Sequence, residues 1–247
     1  MALIKQIYKP QWTVGQVYAR PWGVAAAPRT PVGNVLLLEL SHEEEVKKQA
    51  DMTRLGGGTY AQVRRISGVA VKMDLADWNP VNFARSTFGT SAVLAAGAVV
   101  DEPHKAHLGG LIRLAGLQPS LVTIKIGVAA VDASAYEVRP EGIFIPEGSV
   151  GIAEDDDLLI SYTHPEMVSV EALTSAAPEL ELSFGGLNEA DSGKPVVVDI
   201  WRVSSGIAKT LALVQSDFGK LSIEGEVLKD PTKVGVGISP YYRTQMV

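Results

Sequence analysis

The stretch SGVAVKMDLADWNPVNFARSTFG, residues 67–89, decides the fold because it contains both kinds of element that the chain uses. Within residues 69–75, apolar side chains alternate with Lys72 and Asp74. A period of two is typical of a strand that has one face on a core and the other in water. We therefore predict a half-buried strand whose polar face carries these two charges.

The second half of the same stretch predicts a short α-helix over residues 80–88. Asn79 is a favourable N-cap residue, and Pro80 fits the first helical turn, where no backbone donor is needed. The following apolar residues recur at helical spacing. We expect Phe83 and Phe88 to bury against the sheet, so that the helix is scaffold and not a binding site.

Most of the remaining chain consists of short strand-like segments separated by turn residues such as Gly, Pro, Asp and Ser. The predicted strands are 34–41, 60–75, 91–100, 109–115, 121–128, 135–139, 142–145, 157–162, 167–172, 179–184, 195–203, 207–215 and 220–228. Many short strands with turns between them are typical of sandwiches and barrels. We predict a mainly β protein, with two sheets packed as a sandwich or barrel and one flanking helix.

Three segments lack these patterns. Residues 1–32 are rich in Pro, Gly and Ala and predict an extended N-terminal arm, and residues 230–247 predict a C-terminal arm. The segment HEEEVKKQADMTRLGGGT, residues 42–59, predicts a long mobile loop, which is uncommon in a compact domain unless it is functional or disordered. Residues 33–229 are expected to form one β-sandwich domain, and whether residues 150–180 are an insertion stays open.

The predicted loop 42–59 is also the predicted contact between subunits. It mixes charges of both signs, and its three consecutive glycines cost the most entropy to order, so a partner is needed to order them. The expected contact residues are Glu43, Glu44, Glu45, Lys47, Lys48, Arg54, Gly56, Gly57 and Gly58.

The composition excludes several classes of function. The 247 residues carry a formal net charge of -6, which argues against a protein that grips nucleic acid. No cysteine is present, so disulfides, thiolate nucleophiles and cysteine zinc sites are excluded. No apolar run is long enough for a spanning helix, and we predict no membrane association.

The sequence contains no motif of catalysis or of metal binding. His104 and His107 stand near acidic residues, but Pro103 makes this segment a loop, and the acidic run 155–157 lacks the ligand spacing of a calcium loop. No nucleophile elbow and no phosphate-binding loop occur. We predict no enzymatic activity, no catalytic residue, no metal and no cofactor.

Four segments together resemble the major tail tube proteins of siphophages, which are long-tailed bacteriophages. Besides residues 67–89 they are GGLIRLAG (109–116), ASAYEVRPEGIFIPEGS (133–149) and FGGLNEADSGKPVVVDIWRVSSGIAKTLALVQSDFGKLSIEGEVLKDP (184–231). The resemblance lies in the order and style of the segments over residues 34–231.

The resemblance implies a structural virion protein that forms stacked hexameric rings, each closed by a continuous inner β-barrel. The tube would hold the tape measure protein, join the tail terminator and baseplate proteins, and conduct double-stranded DNA without specific binding. Its place would be the virion tail, after synthesis in the cytoplasm of the host bacterium.

Polar positions that alternate with apolar ones are the candidates for the channel wall, because such a wall has one side on the core and one side in water. They are Lys72, Asp74, Glu224 and Glu226. Because each copy has a net charge of -6, we expect an acidic wall that repels phosphates.

Two alternatives stay open. One is another structural β protein of a virion, such as a capsid decoration or baseplate component. The other is a carbohydrate-binding or carbohydrate-active sandwich, which would use tryptophan faces, although the four tryptophans are scattered along the sequence and core packing is their commoner use. They are Trp12, Trp22, Trp78 and Trp201.

Overall fold

A computed structural model describes residues 10–247 and shows a mainly β protein, as predicted. Within these residues the chain forms 17 strands, one α-helix and two single-turn 3₁₀ helices. The strands are β1 (Thr13–Pro21), β2 (Thr30–Pro31), β3 (Val35–Ala50), β4 (Thr59–Leu75), β5 (Thr90–Leu94), β6 (Gly97–Lys105), β7 (Gly110–Arg113), β8 (Ser120–Ile126), β9 (Ala129–Ala130), β10 (Glu137–Arg139), β11 (Gly142–Ile145), β12 (Asp157–His164), β13 (Met167–Glu171), β14 (Glu179–Asn188), β15 (Lys194–Ser205), β16 (Leu221–Val227) and β17 (Tyr242–Met246). The α-helix α1 is Pro80–Thr87, and the 3₁₀ helices are Ala133–Ala135 and Glu189–Asp191.

The chain divides into two compact units, which differs from the single domain predicted over residues 33–229. Unit 1 consists of the residues up to Thr90 together with Val170–Val247, and unit 2 is Ser91–Ser169. Neither boundary is marked by a Pro-rich, Gly-rich or charged linker in the sequence. The sequence composition therefore does not predict the division into two units.

Unit 1 is built on one large sheet with the strand order β2-β1-β14-β15-β16-β4-β3, and β17 also pairs with β15. One face of this sheet carries the core of the unit, because alternate residues of β1, β4, β14, β15 and β16 are apolar and point the same way. The buried core residues are Val17, Ala19, Val32, Val69, Val71, Met73, Leu75, Leu180, Leu182, Ile200, Val203, Leu221, Ile223 and Val227.

The helix α1 lies within one residue of its predicted bounds. The side chain of Asn79 accepts a hydrogen bond from the Asn82 backbone N–H at 2.8 Å, and Phe88 closes the helix in the left-handed conformation with φ 50°. The prediction that Phe83 and Phe88 are buried was wrong, since both are only half-buried. The buried residues of the helix are Asn82, Ser86 and Thr87. Asn82 Nδ2 donates to the Val32 carbonyl at 2.7 Å, so the inward face is held by hydrogen bonds as well as by packing.

The predicted terminal arms are partly strands. β1 pairs with β14 over nine consecutive positions, and β17 pairs with β15 over five. The prediction of extended arms was therefore wrong for these residues. Both β1 and β17 belong to the large sheet, and each pairs with a strand that is distant from it in the sequence. Residues 1–9 of the predicted N-terminal arm lie outside the described residues.

Two other predictions of local structure were also wrong. Residues 42–59, predicted as a loop, lie mostly in strands β3 and β4, which form one long antiparallel hairpin. Residues 207–215, predicted as a strand, lie in an irregular connection between β15 and β16, where Leu213 and Val214 are exposed.

Unit 2 has its own sheets and its own core. Its four-stranded sheet has the order β6-β12-β8-β9, and its three-stranded sheet has the order β10-β11-β7. β5 and β13 form a separate two-stranded sheet. The core residues are Ala106, Ile112, Leu114, Ile124, Ala135, Tyr136, Ile143, Ile145, Ile152, Leu158, Ile160 and Tyr162.

Candidate functional site

The β3–β4 hairpin continues well beyond the sheet to which it belongs. β16 pairs with β4 only between Ala70 and Leu75, whereas the pairing of β3 with β4 runs on from Glu43 opposite Gly68 to Ala50 opposite Thr59. We call residues 43–68 the hairpin extension. Its side chains are exposed on both faces, except for half-buried Asp51 and Gly68.

A two-stranded ribbon without a third strand or a core is at best marginally stable in water. The hairpin extension nevertheless carries large apolar side chains. They are Val46, Met52, Leu55, Tyr60, Val63 and Ile66, all of them exposed. Clustered exposed apolar side chains are common on surfaces that bind another molecule.

All nine residues predicted as intersubunit contacts lie on the hairpin extension. Glu43, Glu44 and Glu45 lie at its base, next to the sheet. Gly56, Gly57 and Gly58 lie in the hairpin turn, residues 51–58, where positive φ angles of 102°, 67° and 139° favour glycine. The nine residues therefore share one segment, but the local structure predicted for that segment, a loop, was wrong for residues 43–50, which are a strand.

The charge of the hairpin extension changes sign along its length. Its base has three consecutive glutamates, whereas residues 46–65 carry five basic residues and one acidic residue. The basic residues are Lys47, Lys48, Arg54, Arg64 and Arg65, and the acidic one is Asp51. The ion pair of Arg64 with Glu44, at 3.3 Å, is exposed and therefore contributes little to stability.

The four predicted wall residues lie on one face of the large sheet, opposite the core face. Lys72 is directly opposite Glu224, Asp74 is opposite Ser222, and Glu226 is opposite Ala70. The predicted alternation is therefore confirmed. We call this side of the sheet the polar face.

Asp74 is buried on the polar face, with 4% of its surface exposed. Its Oδ1 accepts a hydrogen bond from the Ser222 hydroxyl at 2.7 Å, and its Oδ2 accepts one from Lys220 Nζ at 2.9 Å. These two hydrogen bonds lower the pKa of Asp74. Glu224 is more exposed, and a hydrogen bond from Lys209 Nζ lowers the pKa of its carboxyl group.

Carboxylates elsewhere on the polar face are also paired with cations. Arg202 donates two hydrogen bonds to Glu179, at 2.9 and 2.8 Å. Arg243 donates to Asp199 at 2.9 Å. The remaining pairs are those of Glu181 with Arg20 and Arg29.

The net negative charge lies outside unit 1. Residues 91–169 contain eleven Asp and Glu against four Lys and Arg, a formal charge of -7, which leaves +1 for the rest of the chain. The expectation of an acidic wall is therefore not supported on the polar face, because the charges there largely neutralise one another.

One group of three potential metal ligands comes together among the described residues, and the sequence analysis did not identify it. It consists of His107, Glu154 and Asp155, all exposed. His107 Nδ1 lies 3.0 Å from Glu154 Oε1, and Glu154 Oε2 accepts a hydrogen bond from the Leu108 backbone N–H at 2.7 Å. The two contacts link segments of unit 2 that are 47 and 46 positions apart in the sequence. A local sequence motif could not reveal a group formed in this way.

Two of the four tryptophans have cations over their rings, whereas Trp12 and Trp78 are exposed. Trp201 is buried, and Lys233 and Arg243 lie over its ring at 4.3 and 5.2 Å from the centroid. Arg202 lies 4.1 Å over the ring of Trp22. On Trp22 and Trp201, cations thus occupy ring faces that a stacked carbohydrate would need.

The described residues therefore define a mainly β protein with several sheets and a protruding hairpin. The chain belongs to the family described as Protein of unknown function UCP028589, whose model matches residues 12–245. A comparison with curated proteins finds no match. Among residues 10–247, no helix has the length and apolar composition that crossing a membrane requires.

Proposed function

We propose that this protein is a structural subunit that polymerises into stacked hexameric rings, as the tail tube of a long-tailed bacteriophage. The observation that carries the proposal is the hairpin extension, residues 43–68, which has no core of its own and exposes apolar side chains on both faces. A neighbouring subunit supplies the surface that this ribbon lacks.

The open edges of the large sheet support the same proposal. β3 is the terminal strand of the sheet, and within residues 10–247 every second one of its 16 residues presents unpaired backbone N–H and C=O groups along the outer side. Long open edges invite pairing with another chain, and closing several sheets into one barrel removes them. If each of six copies contributes about four strands, the barrel has a backbone diameter of roughly 37–48 Å, which is wide enough for a duplex.

The polar face is suited to a channel through which DNA passes without being held. Binding to a duplex depends on cations that are free to neutralise phosphates. The arginines Arg20, Arg202 and Arg243 of this face are each paired with a carboxylate. A wall of closed ion pairs gives phosphates few free cations to bind, and DNA slides past it.

The test compares the wild-type protein with a variant in which residues 44–67 are replaced by Asn-Gly, so that Glu43 stays opposite Gly68. Light scattering and negative-stain microscopy at high protein concentration should show rings or tubes for the wild type only. The variant should keep the circular dichroism spectrum of a β protein, since the removed residues have no core contacts. A matched control is Val128→Ser, which changes a fully exposed residue of unit 2 and should assemble normally.

Two results would contradict the proposal. A wild-type protein that stays monomeric at every salt concentration, also with a tail-tip initiator complex present, is not a tube subunit. Normal tubes from the shortened variant would show that the hairpin extension is not an assembly contact.

A further inference from the structure

A groove of about 920 Å³ lies at the end of the large sheet that is remote from the hairpin turn. We call it the end groove. Its lining consists of Asn34, Leu36, Ala76, Asp77, Trp78 and the loop segment 212–219, apart from Ser216. The loop is apolar but exposed, and Phe218 keeps 98% of its surface in contact with solvent.

The hairpin turn and the end groove lie at opposite ends of one ladder. β3 starts at Val35, opposite Leu75 and beside the groove, and it ends at Ala50, where the turn 51–58 begins. Sixteen strand residues span about 50 Å. The turn of one chain therefore cannot reach the groove of the same chain.

The two surfaces are chemically complementary. The turn exposes Met52 and Leu55, which match the apolar lining of the groove. The turn also carries Arg54, whereas the groove carries Asp77 and Asp217, and none of these three charges has an ion-pair partner within residues 10–247. The two carboxylates each accept a backbone hydrogen bond at 2.7 Å, from the N–H groups of Asn34 and Phe218. Apolar side chains around an unpaired charge of opposite sign are the pattern expected of two surfaces that meet.

We propose that the hairpin turn of one copy docks in the end groove of a second copy, in the next ring of the stack. This contact rests on the proposed function and names the surface that receives the hairpin extension. It is head-to-tail, because each copy offers its turn at one end and its groove at the other. A head-to-tail contact that does not close on itself propagates along an axis, which is the geometry of a stack.

Cysteine cross-linking tests the contact directly, because the natural chain contains no cysteine. Leu55→Cys protein and Phe218→Cys protein are mixed under assembly conditions and oxidised. The mixture should give a covalent dimer, and a chain that carries both substitutions should give a ladder of multimers. The matched control pairs Leu55→Cys with Val128→Cys, an equally exposed position of unit 2, and should give no dimer.

Charge reversal gives a second, independent reading. Arg54→Glu and Asp217→Lys should each raise the protein concentration needed for assembly by about tenfold or more, and the double variant should restore assembly. Circular dichroism identifies any charge-reversal variant that fails to fold. In that case the cross-linking experiment alone tests the docking contact.

The outcomes separate this contact from the proposed function. If the wild type forms tubes but the 55–218 pair does not cross-link, or the double variant does not recover, the docking contact is overturned and the tube function stands. If the wild type never assembles, the proposed function fails, and this contact fails with it.

Discussion

Asp74→Ala should destabilise unit 1 by about 2–3 kcal/mol. The carboxylate is buried and accepts hydrogen bonds from Ser222 at 2.7 Å and from Lys220 at 2.9 Å. A hydrogen bond to a charged group contributes about 1.5–3 kcal/mol. The Lys220 side chain is 57% exposed, so solvent screens its hydrogen bond to Asp74. The contribution of this bond to stability therefore lies at the low end of that range or below it.

The four tryptophans make the measurement specific to unit 1, because residues 91–169 contain none. Urea unfolding at pH 7, followed by tryptophan emission at a protein concentration too low for assembly, should show a lower midpoint with an unchanged slope. The control is Glu224→Ala, which removes a solvent-exposed carboxylate from the same face and should leave the midpoint unchanged. A variant Asp74→Ala that unfolds with the wild type would refute the reasoning.

The effect should also depend on pH in a defined direction. The hydrogen bonds from Ser222 and Lys220 lower the pKa of Asp74 in the folded protein below its value in the unfolded chain, which is about 3.9. The ionised form therefore stabilises the fold fully above about pH 4, and this contribution is lost as the pH falls through the folded pKa. The difference in midpoint between the wild type and Asp74→Ala should be constant near neutral pH and shrink below about pH 4.

Three further substitutions test other parts of the structure. Phe88→Ala should cost about 1–2 kcal/mol in the same urea assay, which is less than for a fully buried ring, since Phe88 is half-buried; a loss of 3 kcal/mol or more would show that the ring is buried. Ile143→Ala, in the core of unit 2, should lower the free energy of unfolding of that unit by about 2–5 kcal/mol, measured by hydrogen exchange of residues 91–169. The unfolding transition followed by tryptophan emission should not move. A shift of that transition would mean that the two units unfold together. Glu224→Lys together with Glu226→Lys should leave tubes intact, since both side chains are exposed, but should slow genome delivery in an infection assay by adding free cations to the wall; infection at wild-type efficiency would show that these side chains do not control DNA passage.

The sequence predicted the parts of the fold in which burial leaves a periodic mark. The alternation over residues 69–75 identified a strand and its polar face, and Asn79 with Pro80 identified the start of the helix. The β3 half of the hairpin extension was missed because neither of its faces packs on a core, whereas the β4 half lies within the strand predicted over residues 60–75. The strands of the hairpin extension are held by cross-strand backbone hydrogen bonds, which every residue except proline can make. Residues 43–48 therefore show no strand pattern in their side chains.

Pairing between distant segments explains the other errors. Residues 13–21 read as an arm because only Val17 and Ala19 are buried there, and their partner strand lies about 170 positions away. The burial of the small polar residues Ser86 and Thr87, in place of Phe83 and Phe88, follows from the direction in which the helix faces the sheet. A helical period does not determine that direction when aromatic and small polar residues lie on adjacent faces.

The charges on the candidate wall show the same limit most clearly. Alternation placed Asp74 and Glu224 on one face correctly, but their partners Lys220 and Lys209 lie outside the regular strands, and Lys220 lies 146 positions from Asp74. The net charge of -6 predicted an acidic surface because it is a sum over the whole chain, and the excess of acidic residues falls in unit 2. What phosphates would encounter at this face depends on which cations remain unpaired there, and only the three-dimensional pairing determines that.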